Sequence, residues 1–556
     1  MTLRWFRGLL GLPLFVFIAS LSVDVRAEES DDHVRQVQTE AITGGSAAWG
    51  HWGPDPARYS SWTTHSNRMI PIYTFGIDLE SVRGENSVYR SEEKLKQLYG
   101  TLPENTLNAE AEYFDQTDVY HLQKLAVEQG KKRIILVVFD GLDWQTTWAT
   151  ATHASGKVGY AEGRGTGLHF QDYRGTKTDF GYFVTAPHND GTKIDVDAQR
   201  VENPGGTKRG GYDWKRAGDT PWATWSTWKE DPKYLIGGSK EVPHPYVDSA
   251  ASATAMTAGI KTYNASINID PQGNPVPTIA HQLQEIGFAV GAVSSVPIAH
   301  ATPACAYAHN VHRNDYQDIT RDLLGLPSIA RRNRTLPGLD VLIGTGWGVE
   351  KEKDKGQGEN FISGNTNLAD QDAAAVDIEN GGKYVVVQRT EGQNGTEALK
   401  AATQKAIQGN HRLLGYFGTT AGHLPYATAS GNYHPTVSVG RVSETLTTPG
   451  EAEEYDEADV SENPTLEEMT QAGLDVLAAK SDSFWLLVEA GDVDWANHAN
   501  NIDNSIGATL SGDAAFRVVT DWVETNGGWE ETAVIVTADH GHYLVLNQPE
   551  ALLPTE

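Results

Sequence analysis

Residues 133–139 read Arg-Ile-Ile-Leu-Val-Val-Phe, and this stretch decides the class of fold. A continuous apolar run of this length is typical of a strand that is buried on both faces, as in a parallel sheet covered by helices. The run ends at Asp140 and Gly141, so a carboxylate stands at the carboxyl end of the strand. Ligands of open parallel sheets bind beyond these ends, which makes Asp140 a candidate site residue.

Strands and helices alternate along the rest of the chain. The apolar patterns predict further strands at 289–294, 339–344, 413–417, 484–488 and 533–537, and helices at 92–99, 119–128, 278–287, 315–324, 396–409, 466–479 and 514–525. This alternation predicts an α/β fold with a central, mostly parallel sheet and helices on both faces.

The same patterns predict the division of the chain. An N-terminal region (28–131) packs on a main domain over 132–556, and its early part is rich in Gly, Trp, His and Pro. Residues 163–239 are polar, rich in Gly, Trp and Lys, and weakly periodic, which predicts an insertion of loops and short strands over one face of the core.

Composition limits the classes of partner and site. The 556 residues carry a net charge of −29 at pH 7, and such an acidic surface repels nucleic acids and anionic membranes. The single cysteine, Cys305, excludes an intramolecular disulfide and a cysteine-based structural zinc site. The acidic stretch 451–462 is interpreted as a solvated loop, because its spacing does not fit an EF-hand.

The first 27 residues have the features of a signal peptide. Arg4 and Arg7 precede an apolar run over 8–21, and Ala27 provides a small residue for cleavage. The alternative is an uncleaved anchor, although the run is shorter than the ~20 residues that span a bilayer. The pattern predicts an exported protein, secreted or periplasmic, with a mature chain that starts near Glu28. No later stretch suits a membrane span.

Acidic residues and histidines follow three of the predicted strands. They are Asp140 after the first; Glu489, then Asp494 and His498, after 484–488; and Asp539 with His540 after 533–537. Asp494 and His498 are four positions apart, so one helical turn brings both to the same face. Mixed Asp and His ligands without a thiolate suit a catalytic zinc ion, whereas ligation by oxygen alone suits magnesium. The three ends together predict a metal cluster.

Residues 248–259 supply a nucleophile candidate. Asp248 and Ser249 precede a run of Ala, Ser and Thr, which predicts a closely packed helix with Ser249 in its first turn. Free backbone N–H groups and the helix dipole favour an anion there. Taken alone, the run is better explained by an aspartate cap on a tightly packed helix of small residues.

The segment 300–313 adds polar groups of two kinds. The hydroxyl of Thr302 can join a hard-cation site, and the planar guanidinium of Arg313 can hold two phosphate oxygens at once. Alternatively, Arg313 pairs with a surface acid.

These motifs, in this order, resemble the alkaline phosphatase family over 131–542. The resemblance implies an alkaline-phosphatase-like fold and hydrolysis of phosphate monoesters through a phosphoserine at Ser249. It implies that Asp248 orients Arg313, which grips the phosphate. It also implies two zinc ions and one magnesium ion. Their ligands are Asp140, Asp539 and His540 for the first zinc, Asp494 and His498 for the second, and Thr302, Glu489 and the bridging Asp140 for magnesium, with His300 in the outer shell.

Two departures from the family pattern stand out. Trp495 follows Asp494 where well-known bacterial members carry lysine, so we expect altered phosphate affinity and metal preference. The third ligand of the second zinc in the family is a histidine well downstream of the Thr-Ala-Asp-His motif, whereas this chain has only His542 there. Either the sequence is truncated or another region supplies the ligand. The candidates are His51, His65, His423 and His434.

Other functions stay open at this point. The same superfamily architecture supports phosphodiesterases and sulfatases, but Ser249 with Asp248 and Arg313 favours monoesters. A phosphate-binding protein with an incomplete second zinc site is the non-enzymatic alternative. Family members are commonly homodimers, and no interface follows from the sequence.

Overall fold

The computed structural model describes residues 32–223, 232–237, 245–330, 334–439 and 453–554. The predicted signal peptide lies outside these ranges. The strands are β1 (Gly50–Trp52), β2 (Ile70–Phe75), β3 (Phe114–Asp115), β4 (Arg133–Phe139), β5 (Thr178–Val184), β6 (Asn189–Asp190), β7 (Ile194–Asp195), β8 (Arg200–Val201), β9 (Lys208–Arg209), β10 (Ala289–Pro297), β11 (Val341–Thr345), β12 (Glu350–Lys351), β13 (Gly364–Asn365), β14 (Tyr384–Gln388), β15 (Arg412–Tyr416), β16 (Phe484–Ala490), β17 (Thr532–Ala538) and β18 (Leu544–Leu546).

The α-helices of the described residues are α1 (His33–Gly44), α2 (Glu92–Tyr99), α3 (Asp118–Glu128), α4 (Trp144–Ser155), α5 (His169–Asp172), α6 (Trp214–Ala217), α7 (Pro232–Ile236), α8 (Ser249–Ala258), α9 (Ile279–Glu285), α10 (Ala301–Cys305), α11 (Tyr316–Leu324), α12 (Asp370–Val376), α13 (Gly395–Gly409), α14 (Glu457–Ser461), α15 (Leu466–Lys480), α16 (Asp492–His498) and α17 (Ile502–Thr525).

Ten strands of the described residues form the central sheet, in the order β14-β15-β11-β10-β16-β4-β17-β2-β5-β3. The seven strands from β14 to β17 pair in parallel, whereas β2 runs antiparallel to both of its neighbours. The predicted α/β class with a mostly parallel sheet is therefore confirmed. β4 lies inside the sheet between β16 and β17, as its apolar sequence requires.

Helices cover both faces of the sheet. Phe484 and Trp485 are consecutive in β16, so their side chains point to opposite faces. The Phe484 ring lies 5.4 Å from Trp522 of α17. The indole N–H of Trp485 donates to Gln123 of α3 (2.8 Å). Thus α17 covers one face and α3 the other, and the carboxyl ends of the parallel strands are left at one edge.

The small residues of α8 allow close packing on all sides. All ten residues of the helix are buried. It ends at Gly259, whose φ of +71° is left-handed, and a Cβ at this position would come within 2.4 Å of the Tyr120 ring. The helix that carries Ser249 is therefore fixed within the core.

Three expectations need correction. The segment 163–239 contributes β5 to the central sheet in addition to loops and short strands, because β5 pairs with β2 and β3. The N-terminal region supplies β2, so it is part of the sheet and does not merely pack on it. The acidic stretch contains α14, because Asp456 accepts a hydrogen bond from the backbone of Asp459 (2.7 Å) and caps the helix. The domain boundaries stay a prediction.

Among the described helices, none combines the length and the apolar character that crossing a bilayer requires.

Candidate active site

Ser249 occupies the first position of α8, where Asp248 caps the helix. Asp248 Oδ1 accepts a hydrogen bond from Ala251 N (2.9 Å), and its Oδ2 accepts one from Ala265 N (2.9 Å). The Ser249 side chain is buried, with its Oγ 3.1 Å from His540 Nε2. The carboxylate beside the serine is therefore committed to the cap and to the next loop, and the hydroxyl points to the metal-ligand candidates.

Arg313 faces the same place from the segment after α10. Its Nη1 donates to Asp248 Oδ2 (3.0 Å), and its Nη2 donates to His300 Nε2 (3.1 Å). Burial disfavours the charge of Arg313, but Asp248, Tyr316 and Asp140 together outweigh this and raise the pKa of Arg313 above its ordinary value. The guanidinium is thus a fixed cation beside the serine.

The first group of ligand candidates consists of Asp140, Asp539 and His540. They follow β4 and β17, which are adjacent parallel strands. His540 Nε2 lies 3.2 Å from Asp140 Oδ1 and 3.5 Å from Asp539 Oδ2. Asp539 Oδ1 accepts hydrogen bonds from Gly141 N (3.0 Å) and His540 N (2.8 Å), so its other oxygen is left for a ligand.

The second group consists of Asp140, His300 and Glu489, with ligand atoms within 4.8 Å of one another. Ser294 donates to Glu489 Oε2, and Thr302 lies close enough for its hydroxyl to lower the pKa of this carboxyl. Asp140 belongs to both groups, which places it between them.

The third group surrounds Asp494, which lies in the first turn of α16. Four imidazoles approach its Oδ1: His542 Nε2 at 2.8 Å, His498 Nε2 at 3.5 Å, His65 Nε2 at 3.7 Å and His540 Nε2 at 3.8 Å. His65 precedes β2 in the N-terminal region, and the antiparallel pairing of β2 with β17 brings it here.

The ring orientations of His65 and His498 indicate a cation site. His65 Nδ1 lies 2.8 Å from the carbonyl oxygen of Val247, and His498 Nδ1 lies 2.6 Å from that of Thr63. A carbonyl oxygen only accepts, so each ring carries a proton on Nδ1, and in its neutral form each ring then has its lone pair on Nε2. The two Nε2 atoms are 3.2 Å apart. Two such atoms come this close when a proton or a metal cation lies between them, because two bare lone pairs repel each other.

Burial and neighbouring charges shift the pKa values of the clustered carboxyl groups. Burial, reinforced by Asp539 and Asp494, raises the pKa of Asp140 well above its ordinary value. Burial likewise raises the pKa of Glu489 to about 8. Asp494 differs: burial opposes its ionisation, but His498 and His542 hold its pKa well below the usual range.

The donor set fits divalent cations. Both oxygens of Asp140, Oδ2 of Asp539 and Oε1 of Glu489 are buried, and no hydrogen bond from a described residue reaches them. Buried carboxylate oxygens without donors are costly, and coordination to a cation removes this cost. The first and third groups, which mix carboxylates with imidazoles, suit zinc. The second group has two carboxylates and one imidazole like the first, but the hydroxyl of Thr302 beside Glu489 adds an oxygen donor, which suits magnesium.

The structure therefore brings together all of the predicted site residues: Asp140, Asp248, Ser249, His300, Thr302, Arg313, Glu489, Asp494, His498, Asp539 and His540. It also distinguishes among the four histidine candidates. His65 lies in the third group, whereas His51 bonds Gly53, His423 pairs with Glu453 and His434 contacts Arg35 on the surface.

Two observations lie outside the predicted residue set. His542 reaches Asp494, and its position two residues after His540 was a signal for it. The Trp495 ring lies 5.9 Å from His300 and 4.8 Å from His423, so an aromatic side chain borders the second group.

Fold and site define an α/β protein with a helix-terminal serine beside clustered ligands for divalent cations. The alkaline phosphatase family model matches residues 227–551. This match covers more than half of the 556 residues, and the chain belongs to the alkaline phosphatase family.

Relatives carry the same family name. Alkaline phosphatase H of Pseudomonas aeruginosa is 30% identical over 334 residues, and the alkaline phosphatase of Escherichia coli is 27% identical over 325 residues. Each match covers 58% of this chain and 63% of the relative, so the chain spans less than two thirds of these proteins.

Solved structures of alkaline phosphatases are also similar. That of Thermus thermophilus matches with a TM-score of 0.42 and 22% identity, covering 74% of this chain and 60% of that one. That of the Antarctic bacterium TAB5 matches with a TM-score of 0.40 and 18% identity, covering 74% and 80%.

Proposed function

We propose that this protein is an exported alkaline phosphatase that hydrolyses phosphate monoesters through a phosphoserine at Ser249. The proposal rests mainly on one observation: a group of metal-ligand candidates and an arginine lie around the buried hydroxyl of Ser249. Ser249 Oγ lies 3.1 Å from His540 Nε2, and the neighbouring Asp248 holds Arg313 at 3.0 Å. Nucleophile, ligand group and phosphate-binding cation thus meet at the N-terminus of one buried helix.

The proposed ions are two zinc and one magnesium. Asp140, Asp539 and His540 would hold the first zinc, and Glu489, Thr302 and Asp140 the magnesium, with His300 beside it. When bound, these cations would favour the alkoxide of serine and neutralise charge on the phosphoryl group and the departing oxygen.

We assign the third ligand of the second zinc to His65. Its Nδ1 proton leaves Nε2 directed at Asp494 and His498, and the distances of 3.7 and 3.2 Å are those of atoms that share one ion. His542 contacts Asp494 at 2.8 Å and adds a third imidazole. The N-terminal region would thus supply the ligand that other members take from a downstream segment.

The chain's own residues account for the two chemical steps. Ser249 Oγ forms a bond to phosphorus while the bond from phosphorus to the alcohol oxygen breaks, and the alcohol leaves with a proton. Water then displaces Ser249 and releases phosphate. Arg313 binds two oxygens of the phosphoryl group, and the free N–H groups of α8 face the same charge. Two in-line displacements predict net retention at phosphorus.

The test is hydrolysis of an aryl phosphate by the chain from Glu28 to Glu556, with zinc and magnesium present at mildly alkaline pH. We expect turnover that Ser249→Ala abolishes without loss of bound zinc. Hydrolysis of a diester at the same or a higher rate would favour a phosphodiesterase instead. Stoichiometric phosphate binding without turnover would indicate the phosphate-binding alternative. Homodimers, common in the family, are part of the proposal, and sedimentation of the same sample tests them.

A further inference from the structure

Gln116 connects the N-terminal region to two parts of the candidate active site. It lies between β3 and α3, outside the residues that the family model matches. Its side chain is fully buried. Its Nε2 donates to Ser252 Oγ and to the carbonyl oxygen of Asp539, both at 2.6 Å. One amide group therefore contacts the Ser249 helix and the loop that carries Asp539 and His540.

The three groups form a closed triangle. Ser252 Oγ donates to the same carbonyl oxygen of Asp539 (2.5 Å). Ser252 lies one helical turn after Ser249 in α8, so its position is fixed relative to the nucleophile candidate. Asp539 thus has its carboxylate held by Gly141 and His540, and its carbonyl held by Gln116 and Ser252.

The backbone that carries Gln116 is itself firmly held. Gln116 N donates to Val184 O of β5 (3.1 Å). The preceding carboxylate, Asp115, accepts hydrogen bonds from Thr117 Oγ1 (2.9 Å) and Tyr89 OH (2.7 Å), and it pairs with the buried Lys261 at 3.0 Å. The amide is therefore attached to a rigid support.

We infer that Gln116 is a positioning residue that sets the distance between the Ser249 helix and the Asp539–His540 pair. The expected effect on catalysis rests on the proposed function, whereas the positioning itself rests on the hydrogen bonds of Gln116. Ser249 Oγ and His540 Nε2 are 3.1 Å apart, and the two residues belong to separate elements. The Gln116–Ser252–Asp539 triangle links α8, which carries Ser249, to the loop after β17, which carries His540. Outer groups that orient metal ligands typically contribute about 10–100-fold to metal affinity.

The test compares Gln116→Met with Gln123→Met. Both substitutions replace a buried amide by a side chain of similar length. Gln123 donates to Met256 O (2.9 Å) at the far end of α8, away from Ser249, which makes it a matched control. We measure thermal stability, zinc affinity against a competing chelator, and the kinetics of aryl phosphate hydrolysis. Ser252→Ala, which removes one corner of the triangle, serves as a second variant if Gln116→Met does not fold.

We expect both Met variants to lose stability, and only Gln116→Met to bind zinc about tenfold more weakly. Its kcat should fall at least tenfold with KM within twofold of the wild type, because a misplaced nucleophile slows chemistry more than binding. Ser252→Ala should show the same pattern, severalfold smaller. Equal zinc affinity and equal kcat in the two Met variants would overturn the inference. A wild type that binds zinc without turnover would overturn the proposed function, while a zinc defect confined to Gln116→Met would still support positioning.

Discussion

His65 offers the sharpest test of how the second zinc site is completed. In His65→Ala the site would keep Asp494 and His498 but lose an imidazole whose Nε2 lies 3.2 Å from that of His498. Removing an outer group that only orients a ligand weakens metal binding by about 10–100-fold. Removing a ligand should exceed the upper figure, so we expect a loss above about 100-fold, or ~2.7 kcal/mol.

The assay counts zinc per chain by elemental analysis and measures its affinity by chelator competition, with aryl phosphate turnover on the same samples. His51→Ala is the matched control. His51 is also buried and N-terminal, but its Nδ1 bonds Gly53 O (3.0 Å) away from the cluster. We expect the His65 variant alone to lose one zinc. If His65→Ala keeps both zinc ions at wild-type affinity, the reasoning from ring orientation is wrong.

Two further outcomes follow from charge. Arg313→Lys should weaken inhibition by inorganic phosphate about tenfold or more, because an ammonium cannot bind Asp248 and two phosphate oxygens at once; Arg321→Lys, at a buried pair with Asp372, should not. Burial, followed by Asp32, raises the pKa of Asp503 to about 7, so the folded chain keeps a proton that the unfolded chain releases near pH 4. Stability from this group is lost as the pH rises from about 4 to about 7. Asp503→Asn should then exceed the wild type above pH 7 by at most about 4 kcal/mol, the equivalent of roughly three pKa units, and the gain should vanish below pH 4 in thermal unfolding. A gain that is independent of pH would contradict this account.

The sequence alone is sufficient to predict that the acidic residues after the strands lie together. Asp140, Glu489 and Asp539 follow apolar runs. In a parallel sheet the carboxyl ends of the strands lie at the same edge, irrespective of the conformation of the connecting loops. The strand β2 gives no comparable signal, since Ile70–Phe75 contains Pro71 and lies in a region rich in Gly, Trp, His and Pro. β14 is not among the predicted strands, although three of its five residues are valine.

The position of His65 depends on the pairing of β2 with β17. The sequence does not separate the four histidine candidates for the third ligand, because none of them stands in a recognisable ligand motif. Only the register of β2 against β17 separates His65 from the others, and register is set by contacts between distant segments. Gln116 gave no signal for the same reason, because its partners Ser252 and Asp539 are far along the chain.

The place of β2 in the sheet has a consequence for how the molecule is made. Its last residue, Phe75, and the first residue of its partner β17, Thr532, are 457 positions apart. At ~5–20 residues per second, a ribosome needs about 20–90 s to cover this interval. During that time β2 lacks its inner neighbour, and β4 presents an unpaired apolar edge. Synthesis interrupted before residue 532 would leave a chain with open strand edges and no complete metal centre, which is a strong candidate for chaperone binding and aggregation.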